Sequence, residues 1–530
     1  MDSNVEEGKV PVEDGRPSSH LRQQNILAQV SASFSKYIIM LDIGMAICYS
    51  TIAIPPILDA AEGLSINKSQ ASWFASLVFV WQPVGSLASV PMSGLGRKRL
   101  MFYLQVPLFI GWIMPYFATT VWELYLASSF LGLGIGFMQA PIATYIGEVT
   151  QPQYRGWLAS IAYCFLTLGN VAIYVIDVIV GNWRISALYG AAMPPLTALV
   201  LYLIPESPVW LVSKRRYDDA KKSLKWLRGW TSDEEVEEEF HTILYNNCKH
   251  YASFFDSQKI DPKSFPIANI PEEYRKHCQQ TTEEIANIQN GEQVQVMEEE
   301  KPFLKYLLEP EMYKPIILSL VFFYMSNGIS IAVFRSYLVL IFKEFKVEMD
   351  EYIILVGVTT IGLVANIVCV IIMPLIKKRR LTFLAGIACT LGVFSLGFYV
   401  LFGEHLNQKW IPIAIMVELF FATNLAIGHL PWILISEIFP LRGRSFASGL
   451  VAGIANFMQF LGTKLFWTYV SWMTLGGTFI MYGFVFVIGL TYLYFFQVET
   501  EGRSLDEIVC EFKYGKKYHS SMRRDQTKLR

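Results

Sequence analysis

Long apolar segments alternate with short polar ones along most of this chain. Many of them reach about 20 residues, the length at which a helix crosses about 30 Å of hydrocarbon. Residues 477–497, "GTFIMYGFVFVIGLTYLYFFQ", are a clear example. The pattern predicts an all-α, polytopic membrane protein with twelve transmembrane helices, at residues 28–57, 70–92, 100–119, 123–146, 157–180, 185–204, 313–343, 352–376, 382–402, 411–436, 445–471 and 475–497.

A long polar stretch divides these helices into two groups of six. Within it, "RRYDDAKKSLKWLRG" has the acidic first turn, apolar face and closing glycine of a helix. Residues 246–300 are polar and without periodicity, so we expect disorder there. The predicted order is a cytoplasmic tail at 1–27, a six-helix half at 28–204, a partly helical cytoplasmic linker at 205–312, a second six-helix half at 313–497, and a cytoplasmic tail at 498–530.

The composition agrees with a membrane protein and excludes several other classes. Hydrophobic residues make up 53% of the chain and charged residues only 17%, whereas a soluble protein has about 25% charged residues. The net charge of −1 gives no indication of nucleic-acid binding. The sequence contains neither a phosphate-binding loop nor a spacing typical of metal ligands. We therefore expect no cofactor, no metal, no nucleic acid and no enzymatic activity.

The short loops alternate in charge along the chain. The basic loops "GRKR" (96–99), "KKRR" (377–380) and "RGR" (442–444) fall on one side of the predicted membrane. Because basic short loops stay in the cytoplasm, both termini are predicted to be cytoplasmic. This multi-pass topology places the sequon at Asn67 in an outer loop, as expected for a glycoprotein of the plasma membrane.

Three sequence features recur in the same order in both halves. "LGRKRL" (95–100) corresponds to "IKKRRL" (376–381), and "IPESPVWL" (204–211) to "QVETEGRSLDEI" (497–508). In "YIGEVTQPQYRG" Glu148 precedes Arg155 by seven residues, as Glu437 precedes Arg444 in "ISEIFPLRGRS". Such a repeat is typical of transporters built from two related halves.

The motifs "PESPVWL", "VETEGRSLDEI" and "GHLPWILISEIFP" resemble those of the sugar porters of the major facilitator superfamily. The resemblance extends over about residues 30–510 and is most similar to insect trehalose and glucose facilitators. It implies the major facilitator fold and facilitated transport of a sugar or similar small polar solute across the lipid bilayer by alternating access.

The resemblance also implies which charged residues control opening and closing. It predicts that an intracellular latch holds the halves together, while Arg335 stands where relatives place an outer-gate residue. The alternative is that these charges only fix the topology. The predicted latch consists of Arg97, Glu148, Arg155, Glu206, Glu437, Arg444 and Glu499.

The chain departs from sugar porters where the resemblance places the binding site. Amides that would meet sugar hydroxyls are replaced, so we expect ordinary hexoses to bind poorly. Three alternatives follow: a different solute, a sugar held by other groups, or a solute sensor that no longer transports and binds a cytoplasmic partner at 205–312. The candidate cavity residues are Tyr163, Tyr324, Met325, Ser330, Asn424, Trp432, Asn456 and Phe457.

The ionisable residues within the predicted membrane helices include Asp42, Arg335, Glu418 and His429. Each is costly in lipid and is expected to face a cavity or a partner. By inferred depth, Arg335 and Glu418 are predicted to form a pair; the alternative is that Arg335 contacts an anionic solute. His429 is predicted to be neutral and hydrogen-bonded.

Overall fold

The computed structural model describes residues 19–150, 152–232, 236–237, 239–244, 308–345, 347, 349–373, 375–403, 408–440, 444–501, 503 and 505–515. These residues are helical apart from short connections and one isolated bridge between Leu58 and Ile66. The N-terminal helices are α1 (Ser19–Ile57), α2 (Lys68–Met92), α3 (Arg97–Tyr103), α4 (Gln105–Phe117), α5 (Val121–Val149), α6 (Pro152–Val180), α7 (Trp183–Ala191), α8 (Met193–Leu203), α9 (Pro208–Ser213) and α10 (Tyr217–Leu227). The C-terminal helices are α11 (Pro310–Phe323), α12 (Ile331–Phe334), α13 (Leu338–Glu344), α14 (Glu351–Ile372), α15 (Lys378–Phe402), α16 (Ile411–Ala422), α17 (Leu430–Ile438), α18 (Arg444–Phe496) and α19 (Leu505–Tyr514).

The helix lengths agree with twelve membrane crossings. Ten helical segments in the described residues are long and apolar enough to cross a membrane. The last of them, Phe446–Phe496, has 51 residues and is kinked at Thr474; a straight helix of that length would measure about 77 Å, enough for two crossings. Helix α2 has 25 residues and is long enough for one more. The kink at Thr474 confirms the predicted break between the helices at 445–471 and 475–497.

Two of the predicted helices are interrupted in their middle. A π-helical segment, Tyr324–Gly328, follows α11, and another, Thr423–Ile427, follows α16. The backbone resumes a regular helix at α12, where the Ser330 hydroxyl accepts a hydrogen bond from the Ala332 N–H at 3.3 Å. The sequence pattern predicts continuous helices here because apolar residues run through both segments. Such irregular backbone is tolerated at membrane depth where it is enclosed by protein.

Glycines allow α2 and α5 to pack closely. A Cβ atom on Gly132 would overlap the Val78 carbonyl oxygen of α2. A Cβ atom on Gly136 would overlap the Gln82 carbonyl oxygen of the same helix. Small residues at such positions let the backbones of two membrane helices approach each other. The run "LGLGIG" therefore serves helix packing in the N-terminal half.

Replacing Gly136 by valine is expected to lower the yield of folded protein several-fold, because the two backbones would have to separate. Gly357 of α14 is exposed, and no atom of the described residues lies within 4 Å of its would-be Cβ, so Gly357→Val is the control. Monodisperse protein after detergent extraction measures the yield. Equal yields for the two variants would contradict the packing role.

The helical part of the linker forms a small unit with its own core. Leu211 and Tyr217 pack with Leu224 and Phe240, which are fully buried. Helix α10 ends before Gly229, whose φ of 91° suits glycine. The predicted helix in "RRYDDAKKSLKWLRG" is thus confirmed, whereas residues 246–300 lie outside the described residues.

Candidate functional site

A polar cavity lies between the two six-helix halves. The N-terminal half contributes residues of α1 and α6, and the C-terminal half contributes residues of α14 and α16 and of the irregular segments beside α12 and α16. The cavity has a volume of about 10 Å³, room for about one water molecule. A sugar could enter only after helices move apart. The lining residues are Cys48, Thr167, Asn170, Tyr174, Arg335, Thr359, Phe420 and Asn424.

Helical spacing explains why α6 contributes three of these residues. Thr167, Asn170 and Tyr174 follow one another at intervals of three and four positions, so they share one face of the helix. Phe420 and Asn424 are related in the same way, and the Asn424 amide donates to the Phe420 carbonyl at 2.8 Å. The polar residues of each half are thus held by that half's own backbone.

Hydrogen bonds connect the two halves beside the cavity. Asn366 of α14 donates from Nδ2 to Thr167 Oγ1 at 2.7 Å and to Asn424 Oδ1 at 3.3 Å. Asn366 is buried, and its amide joins a residue of each half. Neither Asn366 nor Thr167 was among the residues predicted from sequence. The polar spacing along α6 is the signal that could have revealed Thr167.

A second set of hydrogen bonds joins α1 to the irregular part of the C-terminal half. Thr51 Oγ1 donates to the Arg335 carbonyl at 3.1 Å, and Tyr174 OH donates to Thr51 Oγ1 at 3.2 Å. Ser50 Oγ also donates to Ser336 Oγ at 2.9 Å. These bonds fix the backbone at Arg335, whose side chain lines the cavity.

Tyr163, in the first half of α6, and His429 form a contact between the halves. Their ring centroids are 5.5 Å apart, and Cys369 Sγ lies 3.0 Å from His429 Nε2. The expectation that His429 is hydrogen-bonded is confirmed. Tyr163 borders the binding region at this layer, one helical turn from the cavity residue Thr167, and does not line the cavity itself.

Most of the other predicted cavity residues lie elsewhere in this conformation. Met325 packs against Gly489 of α18, and the Trp432 ring lies 4.8 Å from that of Phe323. Ser330 donates its hydroxyl to the Ser326 carbonyl. Of the predicted set only Asn424 lines the cavity. For the rest, including half-exposed Tyr324 and Phe457 and buried Asn456, a ligand role stays a prediction.

The predicted pair between Arg335 and Glu418 is wrong. The Glu418 carboxylate lies against Gly392 of α15, and its Oε2 is buried without a hydrogen-bond partner among the described residues. Glu418 precedes Phe420 by two positions, which turns its side chain about 200° around the helix axis from that cavity residue. Similar depth in the membrane therefore did not bring the two charges together.

Ion pairs occupy the end of the bundle that carries residues 96–99 and 377–380, here named the basic end. Arg97 Nη2 lies 3.1 Å from Glu148 Oε1, and Lys378 Nζ lies 2.6 Å from Glu437 Oε1. In the repeat "LGRKRL"/"IKKRRL", Arg97 and Lys378 occupy equivalent positions. Each half thus carries the same pair, between equivalent helix ends.

The C-terminal pair is part of a larger network. Thr500 Oγ1 donates to Glu437 Oε2 at 2.6 Å, and Lys378 Nζ also lies 3.0 Å from Glu501 Oε2. Glu499 accepts from the Arg379 N–H at 3.2 Å. Lys378, Thr500 and Glu501 were not predicted from sequence, although the repeat marks the position of Lys378.

The remaining predicted latch residues are Arg155, Arg444 and Glu206. The side chains of Arg155 and Arg444 lie outside the described residues. Glu206 belongs to the linker unit, where its carboxylate accepts from the Ser207 N–H at 3.0 Å. A latch between the halves by these charges stays a prediction.

Comparison with known sequences gives a family match over most of the chain. Residues 28–265 and 269–512 match the family described as "Sugar (and other) transporter". A facilitated trehalose transporter of Polypedilum vanderplanki is 26% identical over 514 residues, covering 95% of this chain and 91% of that protein. One from Aedes aegypti is 27% identical over 516 residues, covering 95% of this chain and 57% of that protein.

Solved structures share the fold. The inward-open xylose transporter XylE of E. coli matches with a TM-score of 0.63 and 17% identity, over 91% of this chain and 99% of that chain. The proton:xylose symporter XylE bound to 6-bromo-6-deoxy-D-glucose matches with a TM-score of 0.62 and 17% identity, over 94% and 100%. The predicted all-α fold of twelve helices in two halves is confirmed.

Proposed function

Because this chain belongs to the sugar transporter family, we propose that it carries a sugar or a similar small polar solute across the membrane through the cavity between its halves. Family membership makes the chain a multi-pass membrane transporter and not an enzyme. The proposed mode is facilitated diffusion, as in the names of the insect trehalose transporters that it resembles.

The cavity is the observation that supports this function most directly. It is lined by both halves, as a site that is reached alternately from the two sides of a membrane must be. Amide and hydroxyl groups of Thr167, Asn170, Asn366 and Asn424 lie at or beside it. Such groups can both donate to and accept from sugar hydroxyls.

Two layers of contacts would act as gates on either side of this cavity. Separation of Tyr163 and Cys369 from His429 would open the cavity toward the basic end. Separation of Thr51 from Arg335, and of Ser50 from Ser336, would open it toward the other end. The solute would then replace the bonds between Asn366 and its two partners.

The amides at this cavity bear on which solute is carried. The resemblance to sugar porters predicts that hexoses bind weakly, because Tyr163, Tyr324 and Met325 stand where sugar porters have amides. Asn170, Asn366 and Asn424 supply amides from other positions. We therefore favour a sugar held by different groups over the loss of transport.

Uptake of labelled solutes into proteoliposomes tests this function. Saturable uptake of trehalose, glucose or another sugar, dissipating with its gradient, would support facilitated transport. If no solute of a broad panel is taken up while a sugar still stabilises the purified protein against heat, the chain acts as a sensor instead.

We also propose that the chain resides in the plasma membrane, with both termini and the 205–312 segment in the cytoplasm, where the linker could bind a partner. Asn67 is exposed at the start of α2, and its Oδ1 accepts from the Gln70 N–H at 2.9 Å. Its place in the loop between α1 and α2, opposite the basic end, supports its modification from the extracellular side.

Glycosylation at Asn67 gives a test of this orientation. In animal cells, an endoglycosidase is expected to increase the gel mobility of the wild type and of Ser69→Thr, which keeps the sequon. Ser69→Ala removes the sequon and should abolish the shift. A shift that persists in Ser69→Ala would place the modification elsewhere.

A further inference from the structure

The central cavity contains one unbalanced cation. Among the described residues that line it, Arg335 is the only charged one, and the others are neutral. Among the described residues no carboxylate forms an ion pair with its guanidinium, and Glu418 faces a different helix. A guanidinium at membrane depth is stable only with a partner or water. A bound anion would be such a partner.

The backbone around Arg335 is held in place by hydrogen bonds from the other half. Thr51 donates to the Arg335 carbonyl at 3.1 Å, and Ser50 donates to the neighbouring Ser336 hydroxyl at 2.9 Å. These bonds engage the backbone and the adjacent side chain and do not use the N–H donors of the guanidinium, which lies beside the Cys48 thiol of the cavity lining. The planar guanidinium matches a carboxylate or phosphate with two parallel hydrogen bonds.

A second, independent feature is a pocket with two lysines at the end of the bundle opposite the basic end. A pocket of about 390 Å³ between α2 and α18, here named the outer pocket, is lined by Lys68, Lys464, Trp467 and several serine and threonine residues. Lys464 donates to Ser72 Oγ at 2.7 Å, and Lys68 lies 5.4 Å from the centre of the Trp467 ring. No carboxylate pairs with either ammonium group in the part of the chain that the structure describes. The outer pocket is therefore electropositive.

An aromatic contact lies between the outer pocket and the segment that carries Arg335. The Tyr337 ring lies 5.5 Å from those of Phe466 and Trp467, and Tyr337 OH donates to the Thr463 carbonyl at 3.0 Å. Trp467 lines the outer pocket, and Tyr337 follows Arg335 by two residues. Two sites of positive charge thus lie on either side of one aromatic layer.

From these two sites we propose that the solute is an acidic sugar, carrying a carboxylate or a phosphate beside its hydroxyls. Lys68 and Lys464 attract the anion to the outer pocket, and Arg335 binds it in the cavity while Asn424 and its neighbours contact the hydroxyls. This inference rests on the proposed function, because it assigns the solute class of the same cavity.

The test compares glucuronate with glucuronamide, a neutral molecule of nearly the same shape, and adds glucose 6-phosphate and glucose. Binding to purified full-length protein is measured by calorimetry, and uptake is measured separately in proteoliposomes. At least one of the two anions is expected to bind about ten- to a hundredfold more tightly than its neutral counterpart, the range of one charge-assisted contact. Equal or tighter binding of both neutral molecules, or binding of none of the four, would overturn the proposal.

Variants locate the site of the anion. Arg335→Gln should remove the preference for the anion, and Arg335→Lys should keep part of it, since the charge remains without the planar fork. Asn424→Ala should weaken the binding of all four solutes alike. A preference that survives Arg335→Gln would refute the assignment, and the wild-type comparison of glucuronate with glucuronamide stands even if this variant does not fold.

The outer pocket is tested by rates. In the double variant Lys68→Gln/Lys464→Gln, the uptake rate of the preferred anion relative to that of glucuronamide should fall at low ionic strength, and this fall should be smaller above about 0.15 M salt. A lowered uptake rate that is the same at all salt concentrations would contradict electrostatic attraction. An anion preference in binding without uptake of any solute would leave this proposal standing and reject transport.

Discussion

Replacing Glu437 by alanine is expected to open the cavity toward the basic end. The change leaves Lys378, whose side chain is 12% exposed, with Glu501 alone, and it removes the acceptor for Thr500. Breaking a buried ion pair from one side costs about 3–5 kcal/mol. Because the Glu437 side chain is 30% exposed, we expect about 2 kcal/mol here. That energy corresponds to about a thirtyfold shift in the equilibrium between closed and open forms.

Helix α17 transmits this change to the cavity. Glu437 lies near its C-terminal end, and His429 directly precedes its first residue. Freeing α17 from Lys378 and Thr500 should therefore weaken the contacts of His429 with Tyr163 and Cys369.

The free thiols of Cys48 and Cys369 report this opening. Labelling by N-ethylmaleimide, resolved by peptide mass spectrometry, should be faster at both in Glu437→Ala. Cys389 of α15 is buried with its Sγ 3.5 Å from Thr423 Oγ1 of the same half, and its labelling should not change. The double variant Lys378→Met/Glu437→Met removes both charges and should restore much of the protection. Unchanged labelling of Cys48 and Cys369 would leave topology as the role of this pair, and equal acceleration at Cys389 would indicate unfolding.

Replacing Thr359 by phenylalanine is expected to lower uptake by at least about tenfold, equivalent to about 1.4 kcal/mol. Thr359 lines a cavity that holds about one water molecule, so the ring would occupy the space of the solute. Thr360, the next residue of α14, is exposed on the outside of the helix.

Thr360→Phe is the matched control. Both hydroxyls donate 2.7 Å hydrogen bonds to the carbonyl four residues earlier, so the two substitutions remove the same local contact. Uptake per folded molecule, measured in proteoliposomes, should fall in Thr359→Phe and remain near the wild type in Thr360→Phe. Equal uptake by the two variants would show that the solute does not pass this cavity.

The sequence was sufficient to predict the membrane helices and the repeated charges. Each membrane helix requires about 20 consecutive apolar residues, so its position follows from where the apolar runs lie along the sequence. The repeat also places Lys378 where the N-terminal half has Arg97, and the structure shows both in ion pairs with Glu437 and Glu148. These features are local in sequence, or are repeated in it.

Contacts between distant helices could not be predicted in the same way. Depth in the membrane suggested a pair between Arg335 and Glu418, but rotation about the helix axis directs Glu418 toward α15. The π-helical segments change that rotation within α11–α13 and α16–α17, and no residue pattern marks them. The bridge from Asn366 to Thr167 joins residues 199 positions apart, so only the packed halves reveal it.

Solute counterflow in proteoliposomes tests most directly whether this chain is a facilitative carrier. Vesicles are loaded with an excess of unlabelled solute and then exposed to a trace of the same solute with a label. A carrier whose cavity opens to one side at a time should accumulate the label transiently above its equilibrium level, and Thr359→Phe should abolish this overshoot while Thr360→Phe keeps it. Entry of label without overshoot, or no entry for any solute that the protein binds, would contradict alternating access through the central cavity.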